Sequence, residues 1–226
     1  SKTETPTCNP LDNRVLLILP LLYRRWASTR LRDLTPWITS WAAKESFAGA
    51  PGKGGDAAWW LTSLDFEHAL LHGQDIAGGM ADLYKCFDQL NRDLIMELAS
   101  KAGCPPQFLN AYKRFQDQLL IRNTINGGLG TPHQNGPCRI PQGCPLSMMW
   151  AALITLAWSK GIKELGATPR LLADDIMVYA TGPTHCATFE RAYNFTHQYI
   201  IDMGSKMAPQ KSMTFSNSAK TRDWLS

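Results

Sequence analysis

The chain has 226 residues, of which 44% are hydrophobic and 19% charged, with a formal net charge of +4. That apolar content supplies a core and excludes a disordered chain, while the mild positive charge permits a nucleic-acid partner without requiring one. There is no secretory signal, the longest apolar run (residues 15–23, broken by Pro20) is too short to span a bilayer, and six cysteines with no C-x-x-C pair argue against zinc and for reduced thiols in an intracellular protein, nuclear or cytoplasmic.

Residues 1–13 are polar, contain Pro6 and Pro10, and read as extended. Over 14–43 apolar residues recur at helical spacing: Leu17, Leu21, Leu22 and Trp26, then Leu31, Leu34, Trp37 and Trp41. Pro20 and Pro36 limit where those helices run. The same region carries Arg14, Arg24, Arg25, Arg30 and Arg32 with no acid before Asp33, as solvated faces or as a phosphate-contacting surface. A Gly-rich loop, 47–55, precedes a helix over 56–71. Residues 76–83 predict a strand, in which Gly78 and Gly79 let another backbone come close. Helices follow over 91–102 and 106–119, separated by a Gly103 cap and by Pro105-Pro106. Residues 119–125 and 136–140 read as paired strands around a Gly- and Asn-rich turn. An apolar helix is predicted over 145–162, a hairpin from 170–173 and 176–180, a helix over 184–203 and a strand over 212–216. The eight tryptophans are expected mostly in the core; for Trp59-Trp60 packing is expected ahead of stacking on nucleotides. His68 and His72 share i, i+4 spacing, but no histidine set suggests a metal site. Strands dispersed among helices define an α+β fold.

Three segments carry chemistry. In Leu171-Leu172-Ala173-Asp174-Asp175-Ile176 two acids sit between apolar runs, where the hairpin tip is expected. Adjacent carboxylates repel unless a cation neutralises them, and Asp-Asp is a poor two-residue turn. In Met80-Ala81-Asp82-Leu83-Tyr84-Lys85-Cys86-Phe87-Asp88 an acid ends an apolar strand. In Arg139-Ile140-Pro141-Gln142-Gly143-Cys144-Pro145-Leu146-Ser147 a glutamine and backbone N–H groups lie at a helix start, a place for phosphate or base contacts. Each alone has an ordinary structural explanation: a polar turn, a strand end, a helix cap.

Their order and content together resemble the reverse transcriptase family, most closely the type found in non-LTR retrotransposons and group II introns. The likeness extends to Pro209-Gln210-Lys211-Ser212 and, upstream, to the segment from Asn13-Arg14-Val15 and the loop Phe47-Ala48-Gly49. It implies a polymerase palm, an antiparallel sheet backed by helices, with helical fingers. Fingers are expected over 1–75 and the palm over 76–226, with a fingers-like insertion near 105–140; no thumb is expected within the chain. It implies an RNA-directed DNA polymerase adding dNTPs to a DNA primer on an RNA template, with two Mg2+ ions (or Mn2+) held by Asp82, Asp174 and Asp175. Phe87 is expected against the sugar, selecting deoxynucleotides. Gln142 and Gly143 would flank the incoming nucleotide, Arg14 would grip its triphosphate, and Lys211 would protonate the leaving pyrophosphate. Arg122 and Arg139 would line the template path. Leu172 stands where the family has Tyr or Phe, Val15 and Met148 replace common prolines, and Pro141 occupies a common arginine position. Two rivals are a catalytically weak retroelement remnant that only binds nucleic acid, and an RNA-dependent RNA polymerase, which Phe87 disfavours.

Overall fold

The computed structural model describes residues 17–125, 127–136 and 140–226, and among them the chain forms ten α-helices and eight strands. Pro20, at φ −55°, sets the start of α1 (Leu21–Asp33), and Pro36 lies in the first turn of α2 (Thr35–Trp41). The Trp37 indole N–H donates to the Ala102 carbonyl at 2.7 Å, tying α2 to the end of α5. Helix α3 (Gly55–Leu71) leads into strand β1 (Ile76–Asp82). A short helix α4 (Cys86–Gln89) precedes α5 (Arg92–Lys101), which Asn91 caps by accepting from the Asp93 and Leu94 amides. Helix α6 (Pro106–Gln118) packs its aromatic face inward: Phe115 stacks on Tyr23 at 3.7 Å, and Phe108 and Tyr112 lie against Trp150.

The hairpin predicted beyond α6 is two separate ladders. Strand β2 (Leu120–Ile121) pairs with β5 (His133–Gln134), and β3 (Thr124–Ile125) pairs with β4 (Gly128–Leu129); most of the segment 136–140 expected as the partner lies outside the described residues. Gly127, at φ +81°, makes the tight inner turn and draws the partner strand earlier in the chain. The apolar helix predicted over 145–162 is likewise two, α7 (Ser147–Ile154) and α8 (Leu156–Glu164). At the break the Thr155 hydroxyl donates back to the carbonyls of Ala151 and Ala152, an alternative that competes with the helical ladder.

Strands β6 (Thr168–Leu172) and β7 (Asp175–Thr181), helix α9 (His185–Asp202), β8 (Met213–Ser216) and α10 (Ala219–Leu225) complete the chain; α10 has no counterpart in the sequence reading. One antiparallel sheet, in the order β6-β7-β1-β8, organises the molecule. Side chains alternate across it. Ala77, Ala81, Ile176, Val178 and Ala180 join the main core with Phe189 and Ala192 of α9. The nearest neighbours of the two strand glycines are aromatic rings and not the backbone expected: a Cβ at Gly79 would lie 3.0 Å from Phe189 and Tyr193 of that helix, and one at Gly78 would overlap the Phe215 ring. The opposite face presents Ile76, Met177, Tyr179 and Phe215 to Phe66 and Ala69 of α3, a second and smaller cluster. This is the α+β arrangement expected, an antiparallel palm sheet backed by helices with a largely helical fingers region. Trp150 and Trp158 are fully buried as anticipated, but Trp59 and Trp60 are 75% and 65% exposed, against the expectation that they pack inside. No helix among the described residues is long and apolar enough to cross a membrane.

Candidate active site

Asp82 is the last residue of β1, and the backbone around it is held from both sides. Its neighbour across β7 is Asp175, the final register pair of the two strands. On the other side the Ser212 hydroxyl accepts from the Asp82 amide at 3.3 Å, and the Ala208 amide donates to the Asp82 carbonyl at 2.8 Å. The chain after Asp82 continues against 206–208, with the Tyr84 amide donating to the Lys206 carbonyl at 2.8 Å. Asp82 is therefore fixed at the point where the sheet ends.

The hairpin of β6 and β7 turns at Ala173-Asp174. Leu172 and Asp175 form its closing pair, so Asp175 opens β7 and Asp174 alone occupies the tip with Ala173, a correction to the expectation that both acids lie there. Register decides this, since a two-residue turn fixes which residues pair. Ala173 adopts φ +62°, which costs an L-residue roughly 1 kcal/mol. Lys85, at φ +47° ahead of α4, is the other non-glycine residue in this region among the described residues, so both left-handed kinks flank the carboxylates.

Asp82 and Asp174 line one cleft of about 300 Å³, together with Phe87, Gln142, Lys211 and the rest of the stretch 83–88. Burial, then repulsion from Asp174 and Asp82, pushes the Asp175 carboxyl above its usual range. Burial and the same two carboxylates push the Cys86 thiol up to about 12. All three acids therefore share one negative field. The Lys211 ammonium stands 3.6 Å from an Asp82 carboxylate oxygen and offsets part of it. Among the described residues no three His, Cys, Asp or Glu side chains converge on a single ion position. Two carboxylates facing one open cleft nevertheless fit a hard divalent cation, which takes few protein carboxylates and fills its shell with water and phosphate oxygens.

Gln142 reaches the cleft from a tight loop. The Ile140 amide donates to the Phe87 carbonyl at 2.8 Å, and the Leu17 amide to the Gln142 carbonyl at 3.3 Å. Gly143 adopts φ +103°, and a Cβ there would lie 3.2 Å from the Leu17 carbonyl. Helix α7 begins at Ser147, so a turn closed by the Cys144 amide on the Pro141 carbonyl separates Gln142 from the helix start on which it was expected. Gly143 shapes the loop and is not part of the cleft wall, nor is Asp175. Arg14 and Arg139 lie outside the described residues, and Arg122 is exposed beyond β2. His68 and His72 stack ring on ring at 4.2 Å without further metal-binding partners among the described residues. Sequence reasoning missed Ser212, Cys86 and the Lys85 kink; each adjoins a motif residue, and that adjacency was the available signal.

A palm sheet whose first strand and central hairpin bring aspartates to one cleft defines a polymerase-type fold. The sequence profile of reverse transcriptases (RNA-dependent DNA polymerases) matches residues 13–226, and the chain belongs to that family. Among solved structures it is similar to apo telomerase from Candida tropicalis truncated from its C-terminal domain, with a TM-score of 0.59 and 15% identity over 88% of this chain and 42% of that one. It is similar also to telomerase from Candida albicans in complex with the TWJ fragment of telomeric RNA, with a TM-score of 0.55 and 12% identity over 87% of this chain and 34% of that one. At these identities the likeness speaks for the fold, and the chain spans less than half the length of those telomerases. No curated protein matches it in sequence.

Proposed function

We propose that this chain is the fingers and palm of an RNA-directed DNA polymerase from a retroelement of the non-LTR or group II type. The single observation that supports this best is the meeting of Asp82 and Asp174, 92 positions apart in sequence, across one cleft that also holds Phe87, Gln142 and Lys211. Asp82, Asp174 and the adjoining Asp175 would hold two Mg2+ ions, or Mn2+. Bound there, such ions stabilise the attacking and leaving oxygens of an in-line phosphoryl transfer. Lys211 would release Asp82 and give a proton to the departing pyrophosphate. Phe87 supplies bulk on the cleft wall, where it would exclude a 2′-hydroxyl. Gln142 would meet the incoming nucleotide, with Gly143 allowing the loop its shape, and Arg14 would neutralise the triphosphate. Residues 1–75 would serve as fingers and 76–226 as palm, with 105–140 inserted on the fingers side. RNA template, DNA primer and dNTPs are the partners, in an intracellular setting.

A second reading is a nucleic-acid-binding remnant without catalysis, which the pairing of Lys211 with Asp82 favours. Primer extension on RNA with Mg2+ separates the two. Extension by the wild type that is lost in Asp174→Ala supports the polymerase. Salt-sensitive hybrid binding without extension in either protein supports the remnant.

A further inference from the structure

Outside the cleft, the strongest unassigned feature is a polar cluster under α3. One carboxylate oxygen of Asp65 accepts both from the Arg170 guanidinium and from the Tyr179 hydroxyl. Asp65 belongs to α3, Arg170 to β6 and Tyr179 to β7. The Arg170 side chain is 12% exposed, and its guanidinium lies 5.5 Å from the Tyr179 ring centre and 5.9 Å from that of Phe47. Phe47 is itself fixed to the same strand: its amide donates to the Leu171 carbonyl at 2.8 Å, and the Leu171 amide donates to the Glu45 carbonyl at 3.1 Å. The loop then runs on to Gly49, where a Cβ would overlap the Met148 carbonyl at the start of α7.

Arg170 is thus a hub. It joins the fingers helix and the fingers loop to β6, on the sheet face that Leu172 and Asp175 share, and β6 enters the Ala173-Asp174 turn two residues later. That turn holds Ala173 in a left-handed conformation that an L-residue disfavours, so it does not favour its own geometry. Something outside it must over-determine the conformation. We propose that Asp65 and Arg170 are positioning residues that lock the β6–β7 hairpin under α3 and thereby set where Asp174 stands in the cleft. The proposal rests on the polymerase reading for its catalytic consequence, but not for the lock itself. A guanidinium suits the task because its separate N–H groups reach the Asp65 carboxylate and the Pro169 carbonyl at once while its plane lies near two rings, which a compact ammonium matches poorly.

The test uses the full chain with Asp65→Asn, Arg170→Lys and the pair together. Amide hydrogen exchange reads the lock directly. Exchange over 171–176 is expected to quicken about tenfold in Asp65→Asn, with α9 unchanged; unchanged or uniformly faster exchange overturns the proposal. Primer extension reads the consequence. A kcat reduced about tenfold with KM for the dNTP within twofold is expected, and the double variant should lose little more than either single one. A local exchange effect with unaltered kcat also overturns the positioning role. If the wild type itself extends nothing, the polymerase reading fails, and exchange alone then decides the lock.

Discussion

The two faces of the palm sheet have been given opposite work. The face toward α9 is apolar over β1, β6 and β7, from Ala77 and Ala81 to Leu171, Ile176, Val178 and Ala180, and it closes the main core. The face toward α3 mixes a small apolar cluster with a half-buried charge network and ends, uncovered, at Asp82 and Asp175. Apolar packing tolerates conservative exchange and chiefly determines stability; the polar face is where a small displacement alters chemistry. Substitutions on the first face should therefore act through folding, and on the second through catalysis.

The sharpest division comes from the acids. Asp82→Asn and Asp174→Ala are expected to lower extension by roughly a thousandfold or more while leaving the urea midpoint nearly unmoved. A parallel loss of stability would break the comparison. On the other face, Ile176→Ala removes a fully buried side chain and is expected to cost about 2–5 kcal/mol in urea unfolding, with residual folded protein still active. In the loop beneath the cleft, Gly143→Ala forces a Cβ into a left-handed backbone 3.2 Å from a carbonyl. It should cost about 1–2 kcal/mol and raise KM more than it lowers melting temperature.

The smallest effects are electrostatic. Asp175 has a raised folded-state pKa, so it favours folding where protonated, at low pH, and that contribution is lost as pH rises through the raised value. Metal-free Asp175→Asn should melt slightly above the wild type at pH 7, with the difference gone at pH 3 in thermal scans. Cys86, pushed up to about 12, should resist iodoacetamide at pH 7.5 although it borders the cleft, and mass spectrometry would report any labelling.

What was legible in the sequence follows the same divide. Strand β1, the hairpin and helices α5 and α6 carry local signals: Asn91 and Gly103 at helix ends, Pro106 at a helix start, apolar runs bracketing the acids. Those signals put Asp82 at a strand end and Asp174 in a hairpin turn; that the two acids meet was implied by the family resemblance alone. The turn itself was misplaced by one residue, because register depends on the partner strand. The break at Thr155 was hidden, since an apolar run does not reveal a hydroxyl turned back on its own helix. Helix α3 spreads its apolar residues around all sides without a clear stripe, so periodicity did not show that Trp59 and Trp60 face outward. The Asp65 cluster was invisible because its partners lie 105 and 114 residues away.

The most direct test of the central claim is a crystal structure with Mn2+ and a dNTP, read by anomalous scattering. An anomalous peak within ligating reach of both Asp82 and Asp174 is the expected result. Peaks elsewhere, with Lys211 still paired to Asp82 and the cleft free of Mn2+, would contradict the account.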